Sequence, residues 1–460
     1  MQHSKKQNRL GTEPIVSLLF KLSIPSILSM AIQALYNVID SIWIGKYVGE
    51  KALSALSLAF PIQMILIAIA VGTGIGTSSL ISRLLGQEKE KRACNVAEHV
   101  LLLSLCYGII LFLLGAFFSE NLISLFTKDA ELISLATRYI RIILMGSIAL
   151  FLPMISNNIL RGEGNTFIPM VTMLIGSILN IILDPLLILG IGFFPRLDIE
   201  GAAIATVFSR LISGMFILFM LLRNKNQIKL NLKHFKFDIS IIKDIYKVGL
   251  PAMVMQFLAS FMIGGLNIIV GSYNETAIAA LGIYFRLQSF VFMPVFGLNQ
   301  GYMPIIGYNY GHGNPHRMKK TIKYGFIVAF TFTTLGFLLF QIFPEQLVNL
   351  FIKKSSNNTE LLKIGTTTLK SISLAFPIIG PAIIGSTTFQ AIGKGLPSLI
   401  MSFSRQIILL LPLAYILGKL GGLDAVWYSF PLSELVNSFI MAFWLTKTLK
   451  SVFIRMENKI

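Results

Sequence analysis

Charge is what this chain of 460 residues has least of: only 13% of its positions are Asp, Glu, Lys or Arg. That is about half the share carried by soluble domains. Cysteine is nearly absent as well, with Cys94 and Cys106 alone, so a disulfide framework is excluded and no zinc or redox spacing exists. Five histidines are present, and His312 and His316 share one turn with no acidic ligand beside them, which leaves a resident metal centre without support. No nucleotide-binding loop is found either. Gly72-Thr-Gly-Ile-Gly76 lacks the lysine that would follow and lies within an apolar run. ATP is thereby excluded as the direct source of energy, and no enzyme signature or cofactor motif remains. The first ten residues are polar and basic and the apolar stretch after them is too long for an h-region, so no cleavable signal peptide is expected.

What fills the chain instead is apolar: 54% of residues are hydrophobic, and the mean hydropathy is +0.74. Run after run exceeds the roughly 18 residues that cross a bilayer as helix. Rich in Ile, Leu, Phe and Gly, the runs show no period-2 alternation, which favours helices over a β-barrel. Turn signals place spans at 15–45, 53–82, 95–118, 132–158, 166–190 and 200–222, then at 242–271, 276–309, 318–343, 360–391, 397–418 and 424–449. The predicted fold is an all-α membrane protein of twelve transmembrane helices.

The formal net charge of +18 raises the question of nucleic acid, and its distribution answers it. Twenty-five Lys and Arg fall on the side shared by both termini, eleven on the other, and three (Arg210, Arg286 and Arg405) inside spans. This asymmetry predicts that both termini and the basic linker 223–247 are cytoplasmic in a bacterial inner or plasma membrane, with the clusters touching anionic lipid. Nucleic acid is not an expected partner.

The two sets of six spans are related. Lys21-Leu-Ser-Ile-Pro25 returns as Lys247-Val-Gly-Leu-Pro251. At an offset of 225, Ala52, Ala55, Leu56, Gly72, Gly76, Gly86 and Arg92 match Ala277, Ala280, Leu281, Gly297, Gly301, Gly311 and Arg317. Gly162-Glu-Gly164 aligns with Gly393-Lys-Gly395 at an offset of 231. Because each set has an even number of spans, both start on the same side, which implies two lobes related by a pseudo-two-fold axis along the membrane normal. The predicted organisation is an N-lobe (1–222), the linker (223–247) and a C-lobe (248–460). Pro25 and Pro251 interrupt the first helix of each lobe, and Pro25 is the candidate hinge. The glycines allow close helix approach.

Function is read from ionisable groups at membrane depth, where a charge is costly and marks a pathway. Asp40 in the first span and Asp184 in the fifth stand alone among apolar residues, each with a polar companion one turn earlier, Tyr36 and Asn180. Ala202 and Thr206 repeat that spacing in the sixth span, and Tyr139 begins the fourth at similar depth. Carboxylate, amide and hydroxyl oxygens from four helices of one lobe could converge on a proton or a Na⁺ ion. Each is also compatible with a plainer role: interhelical bonding for Tyr36, Tyr139, Asn157, Asn180 and Thr206, and kink repair beside Pro185 for Asp184. Arg210, one turn beyond Thr206, could neutralise an aspartate, while Arg286 and Arg405 could line a cavity or snorkel.

With these residues in view, the whole chain resembles the multidrug and toxic compound extrusion family. The resemblance rests on Pro25-(x14)-Asp40, Leu160-Arg-Gly-Glu-Gly164, Asn180-Ile-Ile-Leu-Asp184-Pro185 and Pro304-Ile-Ile-Gly-Tyr-Asn-Tyr-Gly311, the last looking like the DNA-damage-inducible branch. It implies a cation or proton site on Asp40, Asn180, Asp184 and Thr206, the residues that would hold Na⁺, with Tyr36, Tyr139, Asn157 and the Ala202 carbonyl nearby. Arg210 and Arg286 join Tyr139 and Asn157 as the expected polar network or substrate cleft. A related branch places a glutamate eight residues beyond the proline of the seventh helix, where this chain has Ala259. The implied activity is antiport, with H⁺ and/or Na⁺ entering and small lipophilic or cationic compounds leaving, by a monomer in contact with membrane lipid. A lipid or oligosaccharide flippase of the same superfamily is the alternative, disfavoured by so few buried arginines.

Overall fold

The computed structural model describes residues 8–458 apart from 193, 224–225, 231–234 and 353–358, so part of the predicted linker lies outside the described residues. The first half comprises α1 (Arg9–Thr12), α2 (Ile15–Tyr47), α3 (Glu50–Gly86), α4 (Glu90–Ser124), α5 (Ala130–Met145), α6 (Ser147–Gly162), α7 (Phe167–Leu189) and α8 (Asp198–Leu222). The second comprises α9 (Ile239–Gly271), α10 (Glu275–His312), α11 (Pro315–Ile342), α12 (Pro344–Asn349), α13 (Thr359–Ser373), α14 (Phe376–Ala391), α15 (Gly395–Phe403), a π-helical stretch Ser404–Leu410, α16 (Leu411–Val426) and α17 (Ser429–Glu457).

The protein is all-α, and its twelve spans are accounted for. Among the described residues nine spans are singly long and apolar enough to cross a bilayer. Two more are broken spans: α5 with α6, bent by 49°, and α13 with α14, bent by 50°. The twelfth is α17, 29 residues long, whose buried face carries Ser429, Ser433, Glu434 and Asn437 and so dilutes its apolarity. Burial runs opposite to that of a soluble bundle. In α4 the buried positions include Ser104, Gly108, Gly115 and Ser119, whereas Ile110, Phe117 and Phe118 are exposed. Such a face suits lipid, and small residues inside let backbones approach.

Each break has a local cause. α5 ends at Gly146, against which Val207 of α8 packs too closely for any side chain. α14 opens with Pro377 in its first turn, a residue with no N–H to continue the preceding helix. The two breaks are equivalent in the repeat. They also revise its register: Gly164 and Gly393 both adopt left-handed φ (88° and 81°). Asn165 N–H donates to Leu160 O at 2.8 Å just as Lys394 N–H donates to Phe389 O at 2.8 Å. The backbone therefore equates Gly164 with Gly393, an offset of 229 in place of 231.

The chain divides into two compact units, Ile24–Gly249 and Met1–Ser23 with Leu250–Ile460. Each boundary falls beside a predicted interruption, Pro25 or Pro251. The helices run through both prolines, and Ser29 Oγ donates to the Pro25 carbonyl at 2.8 Å. Glycines explain why the helix openings fall where they do. Gly76 and Gly72 receive the backbone of Ile245 and Gly249 inside the first unit, and Gly301 receives Leu22 and Ser23 inside the second.

Candidate cation-binding site

The predicted oxygens meet inside the unit Ile24–Gly249. α7 and α8 pack along their lengths because glycines remove the obstacles: Gly201 lies directly on the backbone of Leu187, and Gly176 faces Ser213. This close pairing sets Asn180 and Asp184 of α7 against Thr206 of α8, all buried. Asn180 Nδ2 donates to Asp184 Oδ1 at 3.2 Å and, more weakly, to Thr206 Oγ1 at 3.4 Å. From α2, the Asp40 carboxyl comes within hydrogen-bonding reach of Asp184, and the Tyr36 hydroxyl within reach of Thr206.

Tyr139 of α5 lies within electrostatic reach of Asp40, Tyr36 and Arg210. It is buried and also accepts a long hydrogen bond, 3.5 Å, from Gln63 Nε2 of α3. Gln63 escaped the sequence reading; its only signal is a lone amide two residues past Pro61 in an apolar run. Arg210, half-buried on α8, acts on Asp40 and Tyr36 through space and makes none of the described ion pairs.

The donor count is what gives the site its chemistry. Asp40 Oδ1, Asp184 Oδ2 and Asn180 Oδ1 are buried oxygens with no hydrogen-bond partner. An unmatched acceptor in a low-dielectric interior costs about 1–3 kcal/mol. Three acceptors from two helices, two of them on facing carboxyls, form a surplus that a proton or a hard cation corrects. Sodium would find the oxygens it prefers; a proton would need only the two carboxyls.

Other predicted residues stand apart. Asn157 of α6 is 2% exposed with Oδ1 unpartnered, yet no described bond joins it to the aspartates. Ala202 is buried one turn above Thr206. Arg286 of α10 belongs to the other unit, is exposed, and enters no described ion pair. Arg405, also in that unit, pairs with Glu434, a carboxylate the sequence reading passed over.

Comparison with known proteins bears on the family and the fold. The MatE family model matches twice, over residues 25–186 and 251–416, each match beginning at the proline of an opening helix. The chain is 30% identical over 436 residues to the FAD transporter of Shewanella oneidensis, covering 94% of both chains. It is 28% identical to the multidrug export protein MepA of Staphylococcus haemolyticus, covering 93% of each. A solved structure of an outward-facing multidrug resistance MATE family transporter of the MOP superfamily superposes with a TM-score of 0.90 at 29% identity, covering 97% of this chain and 98% of that one.

Proposed function

The chain belongs to the MatE family of multidrug and toxic compound extrusion transporters, and on that premise we propose that it is a secondary active efflux antiporter coupled through Asp40 and Asp184. It is a multi-pass membrane transporter and not an enzyme. The observation that carries the reading is the facing carboxyl pair with its unpartnered oxygens, buried among apolar helices.

Two facing carboxyls cannot both remain ionised without a positive charge between them. Loading from outside with H⁺ or Na⁺ neutralises the pair. The loaded state then favours whichever conformation binds the ion better, and alternating access follows from that differential affinity. Pro25, the second residue after a unit boundary, is the hinge residue in this reading. Protons drive transport, and Na⁺ competes for the same oxygens: Asn180 and Thr206 supply the extra ligands, while the positive charge of Arg210 weighs against a bound metal cation.

In this reading the exported compounds are small, lipophilic and often cationic; the support from the relatives is that several are multidrug export proteins. The protein works as a monomer, with both termini and the 223–247 linker cytoplasmic. Lipid is its other partner. A groove of about 530 Å³ beside Trp444, lined by Lys394 and Lys447, suits an anionic headgroup. A flippase is disfavoured because the described interior offers too few free basic groups to hold a chain of phosphates or sugars.

Everted vesicles preloaded with a fluorescent dye test this, with pH and sodium gradients imposed separately. Asp184→Asn, inserted at normal level, should lose gradient-driven transport. Wild-type transport by that variant would refute coupling through the pair.

A further inference from the structure

The second unit carries a polar device of its own. In the repeat, α15 with its π-helical stretch corresponds to α7, and α17 corresponds to α8. Arg405 and Glu434 fall where the first half has Gly176 and Ala205. Two small residues that let helices touch have been replaced by an ion pair. Arg405 Nη1 donates to Glu434 Oε1 at 2.6 Å, and the Glu434 side chain is only 6% exposed. Burying such a pair between apolar helices is costly and adds little stability over a hydrophobic pair, so its presence calls for a use.

The pair is also incomplete. Glu434 Oε2 is buried and has no donor. Asn437 Oδ1, three residues further on the same face of α17, is buried and unpartnered too. Arg405 sits in the π-helical stretch Ser404–Leu410, a strained local geometry that recurs at functional sites. Tyr284 of α10 lies within electrostatic reach of both charges, and Phe430, one turn before Glu434, meets Tyr284 edge-on with ring centroids 5.8 Å apart.

We propose that Glu434 Oε2 and Asn437 Oδ1, flanked by Tyr284 and Phe430, form a binding subsite for the N–H-bearing head of a lipophilic organic ammonium ion. These two unsatisfied atoms are acceptors, and what they call for is an N–H donor. A bare metal cation would find only two oxygens there, short of a coordination shell. An ammonium instead spreads its charge, donates directional bonds to both oxygens and lays its apolar part on the rings. Arg405 orients Glu434 through the other carboxylate oxygen, which makes it a positioning residue. The identity of the ligand rests on the efflux reading above. The geometry does not, and neither does the test.

The test is equilibrium binding to the purified full-length chain in lipid nanodiscs, with no gradient. Rhodamine 6G, a cation with N–H donors, is compared with tetraphenylphosphonium, a cation with none. Glu434→Gln should raise the Kd for rhodamine 6G about tenfold, the worth of one charge-assisted hydrogen bond. Asn437→Ala should raise it about threefold, and the Kd for tetraphenylphosphonium should change less than either. Because Glu434→Gln alone strands Arg405, the double variant R405M/E434M accompanies it, an apolar pair that keeps the helices packed. It should fold with an unchanged or higher melting temperature and show the same selective loss. A folded R405M/E434M protein with wild-type affinity for rhodamine 6G would make the pair purely structural and overturn the proposal. Equal weakening of both cations would overturn N–H recognition. Wild-type binding as described, with no transport in vesicles, would leave the subsite standing and remove the antiport reading instead.

Discussion

The two halves of the chain share bends, glycine turns and helix lengths, yet they hold charge in contrasting ways. The first half brings two carboxyls together and leaves their outer oxygens without donors. Opposite Asp40 in the repeat, with Pro25 matched to Pro251, the second half has Leu266, and opposite Asp184 and Asn180 it has Leu413 and Leu409. There the only described ion pair with a buried partner is Arg405 with Glu434, already neutral. An unneutralised pair must take up a cation or proton to be stable in the membrane, and so can be driven by a gradient. A neutral pair has no such need and can only recognise. On the proposed readings one scaffold serves two kinds of chemistry.

The largest effect should come from breaking the first half. Asp40→Asn and Asp184→Asn should each lower gradient-driven dye efflux in everted vesicles to background, a loss of at least about a hundredfold if the ion is bound by both. R405M/E434M should leave the proton dependence of efflux intact. Loss of coupling in that variant would mean the halves are not specialised as described.

Next in size is the stability contrast. Arg405→Met alone leaves a buried carboxylate uncompensated and should destabilise the protein by about 3–5 kcal/mol, whereas R405M/E434M should be neutral or stabilising. Thermal unfolding in nanodiscs compares the two.

A third prediction attempts to move the first half's device. A side chain built on Gly264, two residues before the repeat equivalent of Asp40, meets no atom within 4 Å, so Gly264→Asp should be tolerated at normal expression. It should not rescue Asp40→Asn, because Leu409 and Leu413 supply none of the oxygens that Asn180 and Asp184 provide. Restored efflux in that double variant would show that a lone carboxylate in either half suffices.

Fourth, Asn180→Ala or Thr206→Ala should weaken sodium's competition more than proton-driven efflux, by about threefold for a lost neutral ligand. Full activity with sodium alone at symmetric pH, unchanged by either substitution, would defeat the proton reading. Reporter fusions at Asn274 and at Ser356, which lies outside the described residues, should both report the external side.

The smallest effect concerns the segment joining the halves. His99, fully buried in α4, has its Nδ1 2.8 Å from the Asn95 carbonyl and accepts the Asp238 N–H on Nε2 at 2.8 Å, between Phe235 and Phe237. The Asp238 carboxyl accepts from Ser240, an arrangement that holds it below the ordinary carboxylate range, helped by Arg92. A depressed carboxylate stabilises the docked segment at neutral pH, and that contribution fades as pH falls through its lowered value. Proteolysis of the segment should therefore speed up modestly in acid, and Asp238→Asn should flatten the pH dependence.

Much of this was legible in sequence because the membrane enforces simple rules. Length and apolarity dictate helical spans, charge asymmetry suggests their direction, and a lone aspartate in an apolar helix has no inexpensive alternative to function. Asp40, Asn180, Asp184 and Thr206 could thus be picked out without coordinates, and their i, i+4 spacing already put companions on one face. The bends at Gly146 and before α14 could not, since a span's hydropathy is the same whether its helix is straight or broken. Nor could the two-residue shift of the repeat near Gly164 and Gly393, which only backbone hydrogen bonds reveal. Gln63 and Glu434 were invisible for a related reason. A polar residue in a helix declares its cost locally, but its partner is chosen by packing between helices far apart in the chain, and tertiary structure alone brings Gln63 to Tyr139 and Arg405 to Glu434.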